Sequence, residues 1–275
     1  MNVFFDSDLA EERRTASFKS DGILFSQKED MGIKTTDIRI TTEEGEEALG
    51  KPRGRYLTVS FNTSHILLPE GQKNLCKAIG DAIAELLSDF KRLLILGLGN
   101  RHLRADCIGV LCAEGTVLEA DGTVFSLTPG TLGQTGIEAA TIARAARDAV
   151  GADAVLAIDA LAARDKDRLL RTVELCDTGI SPGTGVGNPR QAVNEKTVGA
   201  RVVALGVPTV MRAAAFLKNA FLSAGVCCED AEKYASVGKK LFTVPMHLDE
   251  EIDAVAKIIT DAIETTIERI RGTPK

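Results

Sequence analysis

Two aspartates, Asp106 and Asp159, each stand just beyond a short apolar run, and that repeated placement is the strongest chemical signal in the chain. The run Leu93-Leu94-Ile95-Leu96 breaks into Gly97-Leu98-Gly99-Asn100 and delivers Asp106, while Ala154-Val155-Leu156-Ala157-Ile158 ends directly on Asp159. Each run fits a strand buried on both faces of a parallel sheet, and open α/β sheets gather ligand and catalytic groups at the carboxyl ends of such strands. A carboxylate there is costly without a partner. Two of them close together cannot comfortably both ionise, so one is raised in pKa and serves as acid while the other serves as base and activates a water. That division of labour suits amide hydrolysis with no covalent nucleophile. The plainer readings are a tight glycine turn at Gly97 and Gly99, and an Asp159 neutralised by Arg164.

Competing chemistries lack parts. The G-x-G turn has neither the third glycine nor the distant acid of a dinucleotide site. No G-x-S-x-G elbow occurs, and His65, His102 and His247 sit in dissimilar contexts. His102, four residues before Asp106, is the one histidine placed for a metal role. The loop 126–136, with Gly133, Thr135 and Gly136, ends at a helix start and exposes backbone N–H groups to an anion or a substrate carbonyl. Asp177-Thr178-Gly179 resembles the active loop of pepsin-like proteases. That architecture needs two such loops in an all-β chain, whereas this chain alternates strands and helices. The following Gly183-Thr184-Gly185-Val186-Gly187 has no Lys-Ser/Thr after it, so it reads as a shaped loop at the active edge rather than a phosphate cradle.

The elements that must position these residues are legible from periodicity. Segments 36–42 and 56–62 alternate as half-buried strands, with a turn-rich stretch between them. A helix runs from Glu70 to Phe90 into the first key strand, another begins at Ile108, and 123–127 forms a strand. Residues 137–150 are helical, 172–176 and 201–206 are strands, Pro208 opens a helix, 241–244 is an edge strand, and Ile252 to Ile270 stripe a closing helix. The expected fold is α/β, a mixed, mostly parallel central sheet flanked by helices. It forms one unit over 1–275, with 1–31 as an N-terminal arm carrying short extended pieces at Val3-Phe4-Phe5 and Ile23-Leu24-Phe25.

Composition narrows the function. A formal charge of −6 and a pI near 5.3 give no basic footprint for nucleic acid. Six cysteines without a C-x-x-C pair point to reduced thiols and a cytosolic setting, and no apolar stretch reads as a secretory signal or a membrane span. No cofactor or metal is expected.

Longer motifs then become specific. The runs Asp6-Ser7-Asp8-Leu9-Ala10, Gly97 to Gly109, 128–138, 157–164, 177–188 and 204–210 resemble, in the same order, the germination protease family of spore-forming Firmicutes. That resemblance implies an atypical aspartic endopeptidase with a fold related to hydrogenase maturation peptidases, acting in the spore core on small acid-soluble spore proteins and assembled as a homotetramer. It places the catalytic pair on Asp106 and Asp159. Beside that pair, the strand-end turn and the glycine-rich loops offer Gly97, Gly99, Asn100, Gly133, Thr135, Gly136, Asp177, Thr178 and Gly179 as active-site loop and substrate-binding positions. The family is made as zymogens, yet five residues precede Asp6, Ser181 stands where many relatives have histidine, and Arg212 stands where an acid is usual. The reading is a divergent, constitutively active relative. Two alternatives stand beside it: a nickel-dependent maturation endopeptidase with His102 as a ligand, and a noncatalytic module holding a peptide or phosphate.

Overall fold

The computed structural model describes residues 7–16, 22–117, 121–185, 187 and 190–272. Among these residues nine strands, β1 (Ile23–Asp30), β2 (Ile33–Ile40), β3 (Gly54–Ser60), β4 (Leu93–Gly97), β5 (Val124–Leu127), β6 (Ala154–Ala163), β7 (Thr172–Cys176), β8 (Arg201–Arg212) and β9 (Phe242–Thr243), join in one sheet. Their order is β1-β2-β3-β7-β8-β6-β4-β5, with β9 on β8. Parallel pairing unites β8, β6, β4 and β5. The other pairs are antiparallel.

Strand alternation divides the core. Leu156 and Ile158 of β6 face a core shared with the helices Pro69–Leu87, Ile108–Gly115 and Leu248–Gly272. Val155 and Ala157 face the opposite core, roofed by the helix Ala139–Val150. Asp159 follows Ala157 by two residues and so points to that second side.

Several expectations change. The helices Pro69–Leu87, Ile108–Gly115, Ala139–Val150 and Leu248–Gly272 lie near where periodicity puts them, but the start of the turn-rich stretch 45–54 belongs to a helix, Glu43–Leu49, with Thr42 capping Gly45 N–H and Gly50 closing it in a left-handed conformation. Pro208 opens no helix. It lies inside β8, opposite Leu161, and accepts from Leu170 N–H at 2.8 Å; the helix starts only at Ala213. The strand after Ala154 does not end at Ile158 but runs to Ala163. Within 1–31, Ala10–Ala16 is a helix and Ile23 opens an eight-residue strand, while Val3-Phe4-Phe5 lies outside the described residues.

Candidate active site

Glycine permits the turn that holds Asp106. Gly99 has φ +109°, and a Cβ there would overlap the Asp106 carbonyl oxygen. A Cβ on Gly97 would overlap the carbonyl oxygen of Gly109, and one on Gly109 would overlap the carbonyls of Leu98 and Ile158. The spacing of these glycines therefore lets the helix Ile108–Gly115 lie directly against β4 and β6. Asp106 ends a 3-10 turn, Arg104–Asp106, beside that contact. Its carboxylate accepts from Asn100 N–H at 2.9 Å, and its own carbonyl accepts from the same group at 3.0 Å. The Asn100 side-chain oxygen in turn accepts from His102 N–H at 3.0 Å and from Gln134 at 2.9 Å. The second of these bonds ties the glycine loop to the turn.

Asp159 is 4 % exposed. One carboxylate oxygen accepts from Ala160 N–H at 2.9 Å. β4 ends opposite Ile158, so Asp159 is the first residue of β6 beyond its shorter neighbour. A strand-end carboxylate in the sequence thus becomes a mid-strand carboxylate at the end of a pairing. Burial pushes Asp159 well above the usual carboxylate range, and the charge of Asp106 adds to the rise. Burial raises Asp106 as well, against the Asn100 N–H that favours its ionised form. Arg164, offered from sequence as a neutralising partner for Asp159, instead donates its backbone N–H to Glu12 at 2.8 Å and its guanidinium to the Glu12 carbonyl at 3.0 Å.

Asp159 opens into a cavity of about 260 Å³ whose lining includes Asp8, Tyr56, Glu174, Thr178 and Gly206. Gly206 pairs with Asp159 on one side and with Glu174 on the other, so the two carboxylates share a row of the sheet, and the Leu161 side chain fills the place that a Cβ on Gly206 would take. Asp8 and Glu174 were missed in the sequence. Asp8 sits in a polar stretch without periodicity, and its partner is remote: its N–H donates to Ala162 O at 3.0 Å while its carboxylate accepts from Ala162 N–H at 2.9 Å. Burial raises Asp8 too. Glu174 accepts from Lys51 at 2.7 Å and from Ala10 N–H at 2.6 Å. The free edge of β6 beyond β4 is therefore covered by 7–12, with Glu12 taking Arg164 and Asp165 N–H at 2.8 Å each.

The remaining sequence candidates divide. Thr178 and Gly179 line the cavity, and Gly179 is left-handed at φ +80° where a Cβ would overlap Val193 O. Asp177 is exposed and accepts from Arg55 N–H at 2.8 Å, a turn contact outside the cavity. Gly133, Thr135 and Gly136 lie on the surface around a one-turn helix, Leu132–Thr135, where the sequence suggested loop alone. A capping box between Thr131 and Gln134 is what overrides its glycines. Ser181 lines the cavity, and Val186, Asn188 and Pro189 lie outside the described residues. His102 is exposed, and among the described residues no group of three or more His, Cys, Asp or Glu side chains is placed to hold a metal.

Comparison with known proteins decides the family. The germination protease family model matches residues 4–222. The chain belongs to the germination protease family. A germination protease of Clostridium tetani is 32 % identical over 258 residues, covering 88 % of this chain and 78 % of that one. Another, from Caldanaerobacter subterraneus, is 35 % identical over 75 % of this chain and 69 % of its own. Among solved structures, the [NiFe] hydrogenase maturation protease HycI of Thermococcus kodakarensis covers 66 % of this chain at 18 % identity and a TM-score of 0.36, a likeness too low to carry weight. No described helix is long and apolar enough to cross a membrane.

Proposed function

We propose that this germination protease is an endopeptidase of aspartic type that hydrolyses small acid-soluble spore proteins in the spore core, with Asp106 and Asp159 as its catalytic pair. The observation that carries the reading is a buried Asp159 and a half-buried Asp106 near enough that the charge of Asp106 adds to the burial that drives Asp159 well above its ordinary range. Family membership supports the peptidase assignment.

The two environments support a division of roles. Asp159, the more buried, holds the shared proton; Asp106, whose carboxylate accepts the Asn100 N–H, is the ionised member. Asp159 gives its proton to the scissile carbonyl oxygen as Asp106 takes one from the attacking water, whose oxygen bonds to the carbonyl carbon. The tetrahedral species collapses with cleavage of the C–N bond. Asp106 passes its proton to the departing amine nitrogen, and a hydroxyl proton of the new carboxyl group returns to Asp159. Neither thiol nor hydroxyl nucleophile enters.

The cavity beside Asp159, with Thr178 and Gly179 in its wall, is where substrate side chains would seat. Cleavage of a purified small acid-soluble spore protein by the full chain, with Asp106→Asn and Asp159→Asn alongside, tests the proposal. Turnover by the parent chain that disappears in both variants supports it, and full turnover in either variant removes the pair.

A further inference from the structure

We propose that Thr209 is a positioning residue for Asp106, aimed by the irregularity in β8; the inference rests on the aspartate-pair reading above. The β6–β8 ladder is regular from Ala154 opposite Arg201 to Leu161 opposite Pro208, then resumes with Ala162 opposite Val210. Thr209 has no partner in that ladder. β8 takes three steps from Pro208 to Met211 where β6 takes two from Leu161 to Ala163, and Leu161, Ala163 and Met211 nevertheless meet in one apolar cluster. One residue is thus inserted without disturbing the packing on that face, which is how a bulge re-aims a side chain. Pro208, which has no N–H to give a ladder, stands just before the insertion and suits it.

The inserted side chain has a definite target. Thr209 is completely buried, and its hydroxyl donates to the carbonyl oxygen of Ala105. The peptide unit joining Ala105 to Asp106 is then held at both ends, because Asp106 N–H donates to Leu103 O at 2.8 Å. With Asn100 N–H on the Asp106 carbonyl and carboxylate, Asp106 and the peptide before it are held by three residues, Thr209, Leu103 and Asn100. The Thr209 contact is the one that comes from the sheet itself, from the strand beside β6. It sets the height of the Asp106 turn relative to Asp159. A hydroxyl that only satisfied the Ala105 carbonyl would, once lost, cost stability by leaving that oxygen without its donor but would leave the rate of the folded enzyme alone. A hydroxyl that locates a catalytic carboxylate would not, since small displacements of reacting groups carry large rate penalties.

The test uses the full chain carrying Thr209→Val, which keeps shape and loses the hydroxyl, and Thr209→Ser, which keeps the hydroxyl. Turnover of a purified small acid-soluble spore protein is measured across pH beside Asp106→Asn and Asp159→Asn. Thr209→Val should lower kcat about 10–10²-fold with KM little changed, and Thr209→Ser should recover most of it. The upper limb of the kcat–pH profile should move to lower pH in Thr209→Val, because a loosened Asp106 repels Asp159 less; lost stability alone would not move it. A second readout needs no substrate: carboxyl carbon-13 titrations of Asp106 and Asp159 should shift in Thr209→Val and return in Thr209→Ser. Parent-like kcat and titrations in Thr209→Val, or a folded Thr209→Ser as slow as Thr209→Val, overturn the inference. Should Thr209→Val not fold, Thr209→Ser decides on the same readouts: parent-like values support the inference and slowed turnover overturns it. Full turnover in Asp106→Asn or Asp159→Asn would instead remove the pair on which it rests.

Discussion

The backbone N–H of Asn100 serves both the carbonyl and the carboxylate of Asp106, at 3.0 and 2.9 Å, so one donor fixes the residue's main chain and its side chain together. The arrangement depends on Gly99 at φ +109°, where any Cβ would strike the Asp106 carbonyl. Gly99→Ala should therefore lower stability by about 1–3 kcal/mol, the usual cost of a non-glycine residue in a disfavoured backbone region, and should cut turnover as well. Chemical denaturation and peptidase assays on the same preparation check both effects. Asp106→Asn should separate them, keeping the fold while losing on the order of 10²–10⁴-fold in kcat, as removal of an acid/base group does.

Asp159→Asn should lose turnover to a similar degree and yet melt higher than the parent at neutral pH. The sign follows from linkage. Asp159 has a folded pKa raised well above its unfolded value, so between those values the folded state holds the extra proton. Stability then falls as pH rises through that window, at up to about 1.4 kcal/mol per pKa unit of difference. Asparagine never ionises, so the excess of the variant's melting temperature over the parent's should be small below the ordinary carboxylate range and should grow as pH rises through the window. A parent chain that melts higher than Asp159→Asn at every pH would contradict the buried, uncompensated charge.

Sequence periodicity reveals this molecule best where one element buries its own stripe. The run Leu93 to Leu96, the helix Pro69–Leu87 and the closing helix Leu248–Gly272 each carry their burial pattern locally, and each forms where expected. The position of Asp159 was legible for the same reason, since apolar residues lead directly to its carboxylate, whereas Asp106 is reached only through the glycine turn that follows Leu96. What stayed hidden depends on contacts between distant segments. Asp8 and Glu12 look like surface acids until Ala162, Arg164 and Asp165, some 150 positions away, donate to them. Pro208 signals a helix start by local rule, and only the bulge against β6 explains why it sits in a strand. The helix 43–49 was masked by acid-rich composition that, read with Thr42 and Gly50, is a capped helix.

Glu11 is an acid whose loss should weaken the hold on the N-terminal segment. Its carboxylate pairs with Arg168 at 2.6 Å and with Lys34 at 3.1 Å, and these cations hold it below its ordinary range against the cost of burial. Removing one partner of a fully buried pair costs about 3–5 kcal/mol; with Lys34 33 % exposed, Glu11→Gln should cost less, about 1–3 kcal/mol. Because the folded pKa is depressed, the contribution is present above the unfolded pKa and disappears as pH falls through the folded one. The stability gap between the parent and Glu11→Gln should therefore be widest near neutrality and close in acid. Urea titrations at several pH values measure it, and a gap independent of pH would contradict the ion pairs.

Thiol chemistry should be silent in the mechanism and uneven across the chain. Cys227 and Cys228 are exposed, Cys76 is half-buried, and Cys107, Cys112 and Cys176 are buried. Burial pushes the Cys112 thiol up to about 12 and raises Cys107, Cys176 and Cys76 as well, so little thiolate exists in any of these near neutral pH. Titration with an aromatic disulfide reagent should label Cys227 and Cys228 first and Cys76 slowly, with the buried three reacting only on unfolding. Peptidase activity should survive the first phase, since neither exposed thiol lines the cavity at Asp159. Loss of turnover in step with that first phase would place a thiol at the chemistry and contradict hydrolysis by carboxylates alone.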